Sequence, residues 1–160
     1  MHKLINLMKK LKNDTFFINW VLRDEIAIGP APTQENHIYQ LKEKKIQGIL
    51  SLCSIQEAMP PNDISKNFRC ERIILPDHTY DKNISLKEIK IVLNRLEELK
   101  KVGPTFVHCK AAVERSPLIC IAWLIRHESL TIKQSLDYLM KVNRGTCPSA
   151  NQLKLLEDFI

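Results

Sequence analysis

A β-prone stretch that runs straight into a cysteine loop and out again into an apolar helix narrows the fold of this chain more than any other feature. Thr105-Phe106-Val107-His108 follows the breaker pair Gly103-Pro104 and reads as a short buried strand. Cys109 to Ser116 holds no periodic apolar pattern. Pro117 then suits the first turn of a helix, and Leu118 to Ile125 is uncharged and apolar until Arg126 ends the run. A buried strand feeding a buried helix through a short loop belongs in an α/β layer structure. In such folds ligands bind beyond the carboxyl ends of the strands, and Cys109 lies at one.

The loop itself, Val107-His108-Cys109-Lys110-Ala111-Ala112-Val113-Glu114-Arg115-Ser116-Pro117, has the form H-C-x5-R-S. A tight strand-to-helix loop can aim successive backbone N–H groups at one point and so cradle an anion, and the helix N-terminus adds partial positive charge. The N–H groups of Lys110, Ala111, Ala112, Val113, Glu114 and Arg115 are the candidate phosphate donors. The Arg115 guanidinium can grip two phosphate oxygens as a fork. The same positive field favours the thiolate of Cys109 as a nucleophile.

The rest of the chain alternates strand and helix patterns. Phe17–Leu22 and Glu25–Ile28 read as strands around an Arg23-Asp24 turn, and Thr33 as the cap of a helix to Lys45. Ile46–Cys53 and Phe68–Leu75 read as further strands, with an irregular, proline-bearing stretch from Glu57 to Lys66 between them. Ser85 and Glu88 form a capping box for a helix with Leu86, Ile89, Val92, Leu93, Leu96 and Leu99 on one side. Thr131/Gln134 and Ser149/Gln152 open two more, the first with Ile132, Leu136, Leu139 and Met140 inside, the second with Leu153, Leu156 and Phe159. The expectation is one α/β domain over 17–160, with a mostly parallel sheet of four to five strands flanked by helices. Residues 1–16 precede it as a basic amphipathic segment in which Leu4, Leu7, Met8 and Leu11 share a face.

Composition sets the outer limits. The 160 residues suffice for one domain with a real core. The longest apolar run is far short of a membrane span, and the lysine-dotted N-terminus does not read as a secretory signal, so a cytoplasmic protein, a monomer, is expected. The five cysteines are an odd number without C-x-x-C or zinc spacing, which argues against a disulfide scaffold or a metal site. A net charge of +6 suits an anionic substrate, while the absence of a basic block interleaved with aromatics gives no specific sign of nucleic-acid binding.

From about Asn19 to the end the chain resembles the small dual-specificity branch of the protein tyrosine phosphatase superfamily, and Cys109 to Ser116 is similar to its signature loop. The resemblance implies a phosphatase without cofactor or metal, acting through a cysteinyl-phosphate on Cys109. Arg115 would bind substrate and transition state, Ser116 would assist thiolate departure, and His108 would order the loop. Two positions depart from the family pattern: Ala112 stands where glycine is usual, and Glu114 where a glycine or other small residue is common. Alanine there is comfortable only at negative φ. Glu114 is expected to point outward and pair with a base.

The family draws its general acid from a loop some thirty residues before the cysteine. Asp77, in Leu75-Pro76-Asp77-His78, lies 32 residues upstream of Cys109 and is the candidate; Asp81 and His78 are the alternatives. Asn151 is a supporting candidate in the segment that buttresses such sites. Cys53 could guard an oxidised Cys109, but a plain core cysteine is the simpler expectation. The expected substrate is a phosphorylated protein bearing phosphotyrosine, phosphoserine or phosphothreonine, with phosphoinositides, phosphoglycans and RNA ends open. A phosphate-binding module without catalysis is the competing reading; a sulfurtransferase or arsenate reductase is a third.

Overall fold

The computed structural model describes residues 15–159. The basic segment Lys3–Lys12 lies outside the described residues. Five strands form one sheet: β1 (Asn19–Leu22), β2 (Ile26–Gly29), β3 (Gly48–Ser51), β4 (Arg69–Arg72) and β5 (Thr105–His108), in the order β1-β2-β5-β3-β4. Only the β1–β2 edge pair is antiparallel. The helices are α1 (Glu35–Glu43), α2 (Ile64–Asn67), α3 (Leu86–Lys100), α4 (Arg115–Glu128), α5 (Ile132–Val142) and α6 (Ala150–Leu155), followed by a 3-10 turn at Leu156–Phe159. This is the single α/β domain with a mostly parallel sheet that the sequence leads one to expect.

The three inner strands, β2, β5 and β3, are short and buried on both faces, as strands between helix layers must be, while the edge strands β1 and β4 are partly exposed. Their side chains alternate. Leu50 and Val107 face the larger core with Leu93 and Leu96 of α3 and Leu118 and Ile121 of α4. Ala27, Ile49 and Phe106 face a smaller one closed by Ile38 and Leu41 of α1 and by Phe68. β5 is central, with Val107 opposite both Ile28 and Leu50. The position after His108 therefore emerges over the middle of the sheet, and α4, buried from Arg115 to Ile125, drops back beneath it.

The capping boxes form as read: Ser85 with Glu88, Thr131 with Gln134 and Ser149 with Gln152. Thr33 is not a cap. Helix α1 starts at Glu35, and the His37 ring Nδ1 accepts the N–H groups of Thr33 and Gln34 at 2.9 and 3.3 Å. Met140 is a second difference. It is 47% exposed, whereas Ser135 and Leu139 are the fully buried residues of α5. The stretch between β3 and β4 is irregular except for the single turn of α2.

Candidate active site

The loop from His108 to Arg115 owes its shape to where its carbonyls go. His108 O accepts Leu52 N–H at 2.9 Å, and Lys110 O accepts Ala31 N–H at 3.1 Å. Cys109 O faces the His108 ring Nδ1 at 3.0 Å. Asn143 Nδ2 donates to Ala112 O at 2.9 Å, and Cys147 N–H to Val113 O at 2.7 Å. All these partners except the His108 ring lie outside the curl. Because a trans peptide is planar, a carbonyl turned outward sends the next N–H inward. The result is a nest of N–H groups over Cys109, completed by the N-terminus of α4.

Ala112 carries the cost of this curl. Its φ is 57°, in the left-handed region where glycine is at ease. An alanine there costs roughly 1–2 kcal/mol. The negative φ that would have made alanine comfortable is not what the loop adopts. Asn143, only 1% exposed, holds the residue in place: it also donates to Thr146 Oγ1 at 2.9 Å and accepts Asn19 Nδ2 at 3.3 Å. Asn151 occupies the first turn of α6, exposed, and lines a neighbouring hollow.

Cys109 is 3% exposed, and its Sγ lies 3.2 Å from Ser116 Oγ. The serine hydroxyl can thus donate to a thiolate. His108 sits beneath, wholly buried. Burial pushes its pKa down to about 4 against the opposing pull of its hydrogen bond to Cys109 O, so it is neutral near pH 7. A carbonyl can only accept, so Nδ1 carries the proton. Nε2 is then free to accept from Ser51 Oγ at 2.7 Å. Both ring nitrogens of His108 are thus engaged. Cys53 Sγ is 3.9 Å from the same ring, buried, with desolvation pushing its thiol pKa up; it packs as a core cysteine does.

Arg115 is 2% exposed, and its partners come from the two segments that follow β3 and β4. Glu57 takes it as a fork, at 2.7 Å to Nη2 and 3.2 Å to Nη1. Leu75 O accepts Nη1 at 3.1 Å, and Asp77 Oδ2 lies 3.6 Å from Nη2. The Glu57 carboxyl is held below its usual range by this fork, and Arg115 is held above its own despite desolvation. Sequence reasoning missed Glu57, which lies in the irregular stretch after β3. The one available signal was physical: a buried arginine needs a counter-charge.

Asp77 lines the hollow of about 140 Å³ above Cys109, together with His78, Lys110, Ala111, Val113, Glu114 and Arg115. Asp81 is exposed and lines neither that hollow nor the larger one beside it. Desolvation pushes the Asp77 carboxyl up. The N–H and hydroxyl of Thr79, with Arg115 and His78, outweigh it and hold the group below the usual carboxylate range. A phosphate dianion bound at Arg115 would repel that carboxylate and favour its protonated form. Glu114 pairs with a base, as expected, but also lines the hollow: its Oε2 is 2.8 Å from His78 Nδ1. Lys110 is exposed at the rim. Among the described residues no group of carboxylates, histidines and cysteines is placed to hold a metal ion.

The dual specificity phosphatase catalytic-domain family matches residues 28–159. The chain belongs to that family. It is a cysteine-based phosphatase by membership. Among related proteins, the phosphatidylglycerophosphate phosphatase PTPMT2 of Arabidopsis thaliana is 25% identical over 157 residues, covering 98% of this chain and 68% of that protein. Its counterpart PTPMT1 is 24% identical over 135 residues, 84% of this chain but only 40% of that protein. Human dual specificity protein phosphatase 5 is 34% identical over 72 residues, 45% of this chain and 18% of the relative. Among solved structures, the active form of Tk-PTP superposes with a TM-score of 0.75 at 17% identity, over 88% of this chain and 94% of that one. A PTPMT1 structure in complex with PI(5)P gives 0.71 at 17% identity, over 84% and 88%. At these identities the superpositions speak to the fold. Among the described residues no helix is long and apolar enough to cross a membrane.

Proposed function

We propose that this phosphatase hydrolyses the phosphate monoester of a phospholipid headgroup through a cysteinyl-phosphate on Cys109. The observation that supports the chemistry is a hollow lined by Cys109, Arg115 and Asp77, with Ser116 Oγ 3.2 Å from Cys109 Sγ beneath it. The Cys109 thiolate attacks phosphorus, the ester P–O bond breaks, and Asp77 gives its proton to the departing alkoxide. Arg115 and the nest carry the charge of the equatorial oxygens, which is greatest in the transition state. In the second step Asp77, now a carboxylate, takes a proton from water as that water attacks phosphorus. The P–S bond breaks, Ser116 donates to the leaving thiolate, and inorganic phosphate departs. Side chains and backbone supply every charge and proton these steps require.

The lipid assignment rests on what the two Arabidopsis relatives are said to act on. A basic chain, with an exposed lysine at the rim of the hollow, suits an anionic headgroup. Phosphotyrosine, phosphoserine or phosphothreonine in proteins is the second reading, supported by the 34% identity to a dual specificity protein phosphatase. Turnover of phosphatidylglycerophosphate and phosphatidylinositol phosphates in vesicles, measured beside tyrosine and threonine phosphopeptides, separates the two. A kcat/KM on one of the lipids at least about tenfold above the best peptide, roughly 1.4 kcal/mol of transition-state preference, is the expected result. Equal or reversed rates would remove the lipid assignment in favour of phosphoprotein.

A further inference from the structure

Glu114 stands directly before the arginine that grips phosphate, where a second negative charge would repel the substrate. Both of its oxygens are engaged elsewhere. Oε2 meets His78 Nδ1 at 2.8 Å, on the loop that carries Asp77, and Oε1 accepts Gln152 Nε2 at 2.7 Å, on α6. The side chain is 14% exposed and belongs to the residue at the N-terminal boundary of α4, where the helix dipole favours a carboxylate although no side-chain cap bond is made. One residue thus joins the phosphate loop, the acid loop and the last helix.

The acid loop needs such a tie. Between Pro76 and Asn83 it has neither helix nor strand. Its internal bonds, from Thr79 and Tyr80 back to Asp77, shape the turn but do not attach it. Tyr80 Oη reaches Glu57 only at 3.5 Å, and Lys82 meets Glu88 out in solvent. The 3.6 Å approach of Asp77 to Arg115 is the one a phosphate would interrupt. Among the described residues, the short bond from His78, the neighbour of Asp77, to Glu114 is a tie beside the acid that a bound phosphate would leave in place.

We infer that Glu114 is a positioning residue: acting through His78, it holds Asp77 over Cys109, so that this chain's departure from the family's usual small residue serves proton delivery. The inference rests on the reading of Asp77 as the acid given above. General-acid assistance matters most when the leaving group is a poor one, and misplacing the donor by an ångström can cost about 10²-fold.

The test compares kcat/KM for phenyl phosphate, whose leaving group needs a proton, with that for p-nitrophenyl phosphate, whose leaving group needs one far less. In Glu114→Ala, and separately in His78→Ala, the ratio between the two substrates should widen by roughly 10- to 100-fold. Glu114→Gln keeps an acceptor for His78 and should recover much of the ratio. Adding Glu114→Ala to Asp77→Asn should widen it no further. If Asp77→Asn itself leaves the ratio unchanged, the acid assignment falls. If Asp77→Asn widens it while Glu114→Ala and His78→Ala slow both substrates equally, or neither, the acid stands and the positioning role is overturned. His78 has 78% of its side chain exposed, so its variant tests the tie even where Glu114→Ala folds poorly.

Discussion

Cys109→Ser is expected to remove at least about 10⁴-fold of kcat on any phosphate monoester while leaving the fold intact. The serine hydroxyl is a far weaker nucleophile than a thiolate, and among the described residues the side chain hydrogen-bonded at this position is a serine rather than a base. The adjacent His108 has both of its nitrogens engaged, with Cys109 O and Ser51 Oγ. Burial drives its pKa to about 4, which makes it a poor proton acceptor. Serine nearly matches cysteine in size, and the Ser116 hydroxyl 3.2 Å away can partner it. The melting temperature should therefore move little. Thermal unfolding and a phosphate-release assay on the same preparation check both halves. Retention of activity in the variant would assign the chemistry to another group.

Arg115→Lys is expected to lower kcat/KM by about 10²- to 10³-fold, the effect of losing a transition-state donor worth roughly 3–4 kcal/mol. The charge survives but the geometry does not. Arg115 spends two N–H groups on Glu57 and another on Leu75 O, and its planar fork still has donors left for phosphate. A lysine ammonium is a point charge that cannot serve Glu57, the carbonyl and two phosphate oxygens together. Paired with Glu57, it keeps that buried carboxylate from being orphaned, so the loss should fall on catalysis more than on stability. Steady-state kinetics alongside a urea titration read the two separately. A change in kcat/KM smaller than about threefold would mean that Arg115 serves Glu57 and the fold but not the substrate.

The parts of this molecule that could be read in advance are those whose causes are local. The capping boxes at Ser85, Thr131 and Ser149 depend on residues three apart. The β5–loop–α4 unit declares itself because strand, anion loop and helix are contiguous. Asp77 could be placed because it follows a β-patterned stretch at the spacing the family resemblance implies. Glu57 could not, since its partner is 58 residues away and nothing in the irregular stretch after β3 distinguishes one glutamate. Asn143 escapes for the same reason: it reaches Ala112 across 31 residues, and nothing local in the sequence sets it above Asn151. The positive φ of Ala112 has no signature in an alanine; it follows from carbonyls pulled outward by distant donors. Met140 and Thr33 show the limits of pattern alone. The first lies on a helix face that extends past the core, and the second stands one residue before the true N-cap, Gln34, whose box partner is His37.

The cysteinyl-phosphate is the central species, and trapping it is the most direct measurement. Ser116→Ala removes the hydroxyl that eases thiolate departure, so the second step should become rate-limiting and the intermediate should accumulate. Rapid acid quench during turnover of p-nitrophenyl phosphate, followed by peptide mass spectrometry, should then place one phosphate on Cys109 and none on the other four cysteines. A burst of nitrophenol stoichiometric with protein should accompany it. Turnover without a phosphorylated Cys109, or phosphate carried on a different residue, would contradict the mechanism; binding of phosphate esters with no turnover at all would make the loop a recognition site.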